Sequence, residues 1–99
     1  MSFTNESIQR LFKVIADIES PEECQAFFED LCTIRELQGM AQRLDIALLL
    51  SEGLNYLNIS KQLDVSSTTI SRVNRALTYG SDGYKKVIKK LNEGKTDDN

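Results

Sequence analysis

Apolar residues along the chain recur three and four apart and nowhere alternate, a pattern that predicts helices and no strands. Ile8, Leu11, Phe12, Ile15 and Ile18 form one such stripe and mark a first helix. Ser20-Pro21-Glu22-Glu23 then offers a capping hydroxyl, proline at the first helical position and glutamate at the third. Cys24, Phe27, Phe28 and Leu31 make the apolar face of this second helix. Thr33-Ile34-Arg35-Glu36 repeats the capping pattern and opens a third helix, expected to reach about Ser51 and to end at Gly53. Its main stripe is Leu37, Met40, Ala41, Leu44 and Leu48, which Ile46, Leu49 and Leu50 widen beyond the face of a surface helix. A helix apolar on more than one side is central, either in one chain's core or between subunits. After Gly80-Ser81-Asp82-Gly83, a last helix is expected to turn Tyr84, Val87, Ile88 and Leu91 inward and Lys85, Lys86, Lys89 and Lys90 outward. A frayed polar stretch from Asn92 should follow.

Between Gly53 and Leu77 the pattern changes to two short helices with a tight break, a helix-turn-helix over about 55–77. Ile59 and Leu63 lie four apart on the first helix, Val65 sits in the break, and Ile70, Val73 and Leu77 lie on the second. These are the positions that must point inward when two short helices cross steeply. Asp64 stands at the turn, where the left-handed conformation is required and Asp tolerates it better than most residues. Ser66 is a good cap for the second helix, and Ser67, Thr68 and Thr69 fill its first turn. Ser67, Thr68, Ser71, Arg72 and Arg75 then form an outward face with no acidic and no large apolar side chain. Small hydroxyls permit close approach to duplex DNA, and arginines reach phosphates or guanine edges. A helix N-terminus adds free N–H groups for a phosphate. The candidate DNA contacts are Lys61, Ser66, Ser67, Thr68, Thr69, Ser71, Arg72 and Arg75, with the C-terminal lysines as further phosphate contacts. The alternative is a plain helical hairpin in a bundle, its Ser/Thr run only a capped, solvated helix start.

Composition alters this picture in one place. The chain has 99 residues and a formal net charge of −3, which taken whole speaks against nucleic acid. The total conceals an asymmetry. Residues 1–53 hold four basic and ten acidic side chains, whereas residues 54–92 hold seven basic and two acidic. A basic segment around the helix-turn-helix is the electrostatic footprint of a DNA-binding module. The absence of His removes the commonest general base and zinc ligand, and Cys24 and Cys32 have no metal-binding spacing, so no enzyme and no metal site is expected. Both thiols read as reduced and structural. No signal segment and no membrane-spanning run is present, and a cytoplasmic protein without membrane association is expected. The length fits a single domain over 1–92 with a polar tail at 93–99. A chain this short buries only about 60–65% of its unfolded surface, so pairing with a second copy would stabilise it.

With SKQLDVSSTTISRVNRAL and the following YGSDGYKKV in view, the sequence resembles the Trp repressor superfamily, and within it the Trp-repressor-related YerC/YecD group. The resemblance covers most of the chain. It implies an all-α fold of six helices with a helix-turn-helix, in an intertwined homodimer whose N- and C-terminal helices interlock. It also implies a transcriptional regulator, a repressor in type, that binds a palindromic operator in double-stranded DNA. A helical protein–protein interaction module without specific DNA binding is the rival reading. Trp repressors hold L-tryptophan between two arginines, and Arg43 and Arg72 stand at the matching positions, with Thr33 and Thr69 matching pocket threonines. This chain departs immediately after Arg72, where those repressors have Gly and Val73 stands here. A branched side chain there intrudes on an indole ring, so tryptophan is not the expected corepressor and no cofactor is expected. Arg43 is then expected to pair with a nearby acid, and Arg72 to contact DNA.

Overall fold

A computed structural model describes residues 5–97, and within that span side chains are described to Gly94. Six helices and no strand occur among the described residues: α1 Glu6–Ala16, α2 Pro21–Leu31, α3 Ile34–Ser51, α4 Tyr56–Leu63, α5 Ser67–Tyr79 and α6 Gly83–Asp97. The chain forms two compact units, Met1–Leu37 and Gln38–Asn99.

In the first unit the helix starts follow the capping chemistry. Asn5 caps α1, its Oδ1 accepting the Ile8 N–H at 2.8 Å. Ser20 caps α2 through the Glu23 N–H at 3.1 Å, with Pro21 at the first position. The Glu23 carboxylate reaches back past the cap to the Glu19 N–H at 2.8 Å. Thr33 and Glu36 form a reciprocal pair at the start of α3: Thr33 N–H donates to Glu36 Oε1 at 2.8 Å, and Glu36 N–H donates to Thr33 Oγ1 at 3.1 Å. The Thr33 N–H first, and then the Thr33 side-chain hydroxyl, hold the Glu36 carboxyl below its ordinary pKa of 4.5. Ile8, Leu11 and Ile15 are half-buried, but Phe12 is 52% exposed, and Ile18 falls beyond the end of α1. Neither α1 nor α2 has a buried residue. Phe27 and Phe28 meet edge to face, ring centres 5.6 Å apart, and Leu31 is exposed. Cys24 and Cys32 are free and half-buried.

The core lies in the second unit. Ile46 and Ala47 of α3, Ile59 of α4, Val65 of the turn, Ile70 and Val73 of α5, and Ile88 of α6 are buried together. Leu48, Leu49, Leu50, Leu54, Tyr56, Leu63, Leu77 and Tyr84 pack around them. On α3 the two apolar sides fare differently. Met40 and Ala41 of the main stripe are exposed, and the Ile46, Leu49, Leu50 side supplies the core, because α4 and α5 close over it. The last helix differs in two ways. Val87 and Leu91, expected inward, are 47% and 43% exposed, since Tyr84 and Ile88 are the residues α6 gives to the core. The helix also runs to Asp97, five residues past the expected start of fraying at Asn92. No proline stops it there, and Gly94 costs only about 1 kcal/mol in a helix interior. Residues 98–99 of the expected tail lie outside the described residues.

Candidate nucleic-acid interface

The helix-turn-helix is built by local chemistry that fixes its turn. Asn55 caps α4 by accepting the Asn58 N–H at 2.9 Å. Asp64 closes α4 in the left-handed conformation, φ 54° and ψ 52°, and its N–H donates to the Ser60 carbonyl. The Val65 N–H also reaches that carbonyl, at 3.4 Å, the paired arrangement of a left-handed helix end. A third link holds the turn: Ser60 Oγ donates to the Val65 carbonyl at 2.6 Å, in a half-buried setting. Ile59 and Val65 beneath are buried against Ile70 and Val73, so the angle between α4 and α5 is set by packing as well as by the turn.

Ser66 caps α5, its Oγ accepting the Thr69 N–H at 3.2 Å and lying 3.1 Å from Thr69 Oγ1. Thr69 is half-buried and turned toward this cap. Ser67, Thr68, Ser71, Arg72 and Arg75 are exposed along α5, and Ser66 and Lys61 are exposed beside them. No acidic side chain occurs between Asp64 and Asp82, so every exposed charge on α5 is positive. Among the described residues the ion pair is the exposed contact at 3.8 Å between Lys85 of α6 and Asp82 just before it. Lys61, Arg72 and Arg75 thus face solvent without a carboxylate partner.

A pocket of about 320 Å³ lies beside this face, lined by Gly39, Gln42, Arg43, Thr69, Arg72, Val73, Ala76 and Tyr84. It brings Arg43, Thr69 and Arg72 together. Thr33, the fourth expected pocket residue, belongs to the first unit, where it caps α3. Arg43 forms no ion pair with any of the described residues, contrary to expectation: its guanidinium passes over Gly39, near 3.6 Å from where a Cβ would stand. Val73, only 3% exposed, is part of the pocket wall. The clamp from Ser60 and the pocket positions of Gln42, Ala76 and Tyr84 left no mark in the pattern, because each depends on which helices meet.

The family model of the Trp repressor protein matches residues 6–92. The chain belongs to the Trp repressor family. This is a family of regulators, not of enzymes. The uncharacterized protein YerC of Bacillus subtilis (strain 168) is 43% identical over 90 residues, covering 91% of this chain and 86% of its own. Among solved structures, a TrpR-like protein from Eubacterium eligens ATCC 27750 superposes with a TM-score of 0.85 at 41% identity, over 89% of this chain and 91% of that one. A candidate Trp repressor from Staphylococcus aureus gives 0.85 at 38% identity, over 90% and 89%. The Trp repressor fold therefore extends over nearly the whole chain. No helix among the described residues is long and apolar enough to cross a membrane.

Proposed function

We propose that this chain is a cytoplasmic, sequence-specific transcriptional repressor that binds a palindromic operator in double-stranded DNA as a homodimer, with α5 entering the major groove. The observation that carries this reading is the exposed face of α5: hydroxyls at Ser67, Thr68 and Ser71, then Arg72 and Arg75, with no acid among them. On that face the first turn approaches base edges, and the arginines reach guanine or phosphate. The N-terminal N–H groups of α5, together with Ser66 and Thr69, favour a phosphate at the helix start. Lys61 and the lysines of α6 add phosphate contacts. The stiff turn at Asp64 presents α5 without a large ordering cost on binding.

Dimerisation is supported by what one chain leaves uncovered. The apolar stripe of α1 has no buried member, and Val87 and Leu91 of α6 leave nearly half of their surface in solvent. Apolar surface of that kind contributes stability only when buried, at about 25 cal/mol per Å², and a second copy can bury it. Two reading helices in one dimer would meet successive major grooves about 34 Å apart, which calls for an operator of matching symmetry.

The pocket beside α5 supports a regulator that does not use L-tryptophan. Arg43, Thr69 and Arg72 could bind a small anion there, but Val73 fills part of the wall with a β-branched side chain stiff about χ1. Gel-shift titration tests the central reading. Arg72→Ala and Arg75→Ala abolish operator binding while helicity and the dimer persist; unimpaired binding by both variants overturns it. Binding to duplex DNA no tighter than to heparin favours a protein-interaction module instead.

A further inference from the structure

We infer that Tyr79, at the C-terminal end of α5, is a further DNA contact that anchors the reading helix to the phosphate backbone bounding the groove. This inference rests on the proposed DNA-binding role of α5. At about 100° per residue, Thr68, Arg72, Arg75 and Tyr79 lie within about 60° of arc. They form one continuous stripe at i, i+4, i+7 and i+11. The arginines of that stripe are exposed, and Tyr79 is 82% exposed, the most exposed of the large apolar or aromatic side chains among the described residues. Among the described residues its ring stacks on no other ring and its hydroxyl has no hydrogen-bond partner. The side chain therefore contributes nothing visible to the fold of the protomer, yet it continues the line of the reading face.

The reach of the helix suggests what it meets. Eleven residues at 1.5 Å each carry the stripe about 16 Å along the axis, whereas the major groove is about 12 Å wide. A helix whose first turn lies among base edges runs beyond them by its last turn, and its far end comes level with a phosphate strand. A phenol there donates its O–H to a phosphate oxygen and lays its ring against the adjoining sugar, a contact that positions the helix without reading sequence. Because the phenol is neutral, it releases no counterion. Its loss should weaken binding without changing how binding depends on salt, which separates it from the arginines on the same stripe.

The experiment is fluorescence anisotropy with the full chain, on a duplex enriched by selection from a random pool and on a scrambled duplex, across a salt series. Wild type, Tyr79→Phe, Tyr79→Ala and Arg75→Ala are compared, with far-UV circular dichroism as a check on folding. Tyr79→Phe is expected to weaken binding about five- to tenfold on both duplexes with an unchanged salt slope, Tyr79→Ala somewhat more. On the scrambled duplex, where backbone contacts alone hold the chain, Arg75→Ala lowers the slope by about one. If both tyrosine variants bind within twofold of wild type while Arg75→Ala is impaired, the Tyr79 contact is refuted and the reading of α5 stands. If wild type binds no duplex at all, that reading fails and Tyr79 falls with it.

Discussion

Replacing Ser60 with alanine tests the idea that the turn between α4 and α5 is a stiff, built element. Ser60 Oγ donates to the Val65 carbonyl at 2.6 Å, and Val65 itself is 9% exposed. The substitution removes a short bond and leaves a carbonyl in a poorly hydrated place. A net bond is worth about 0.5–1.5 kcal/mol, and an unsatisfied buried acceptor adds to the loss, so about 1–2 kcal/mol is expected. For a domain of this size that lowers Tm by about 4–8 °C per kcal/mol. Ser51 provides the control: its Oγ makes a similar 2.7 Å bond to the Leu48 carbonyl, but in an exposed setting where water replaces it. Ser51→Ala should therefore shift Tm by less than a third as much. Thermal melts followed by circular dichroism decide the matter, at one fixed protein concentration because association raises Tm. Equal shifts for the two variants would refute the argument that burial and the turn give the Ser60 bond its weight.

Two other outcomes follow from the same geometry. Glu36 has a lowered pKa from its bonds to Thr33, so its contribution is complete above its unfolded value of 4.5 and fades as pH falls through the lower folded value. Glu36→Gln keeps a capping group but removes that titration, so its loss of Tm between pH 7 and pH 3 should be smaller than that of wild type; identical losses would contradict the assignment. Calorimetric titration with L-tryptophan should give no binding in the micromolar range, whereas micromolar affinity would show that Val73 leaves room for the indole.

Much of the fold was legible because its signals are local. The caps at Ser20, Thr33 and Ser66 act within one helical turn, and each stands where the residue pattern put it. Asp64 was readable for the same reason: a left-handed residue between two short apolar runs leaves few candidates. The spacing of Ile59, Val65, Ile70 and Val73 also gave the inward side of the helix-turn-helix. What was not legible depends on neighbours distant in sequence. Which side of α3 meets the core is decided by α4 and α5, so the pattern alone could not choose between its two apolar sides. Val87 and Leu91 have the same helical spacing as Tyr84 and Ile88, and periodicity cannot tell a face that packs within the chain from one left for a partner. The charge of Arg43 suggests an acidic partner, but an ion pair needs a carboxylate within reach, and none of the described residues supplies one. Tyr79 escaped because an aromatic residue at a helix end reads as packing until its exposure is known.

The central claim is that α5 reads duplex DNA from a symmetric pair of protomers, and selection of bound sequences from a random duplex pool tests it most directly. The account predicts enrichment of a palindrome whose half-sites are centred about one helical turn, roughly 34 Å, apart. Selected pools with no enriched sequence, or with a single unrepeated half-site bound as tightly as any palindrome, would contradict it.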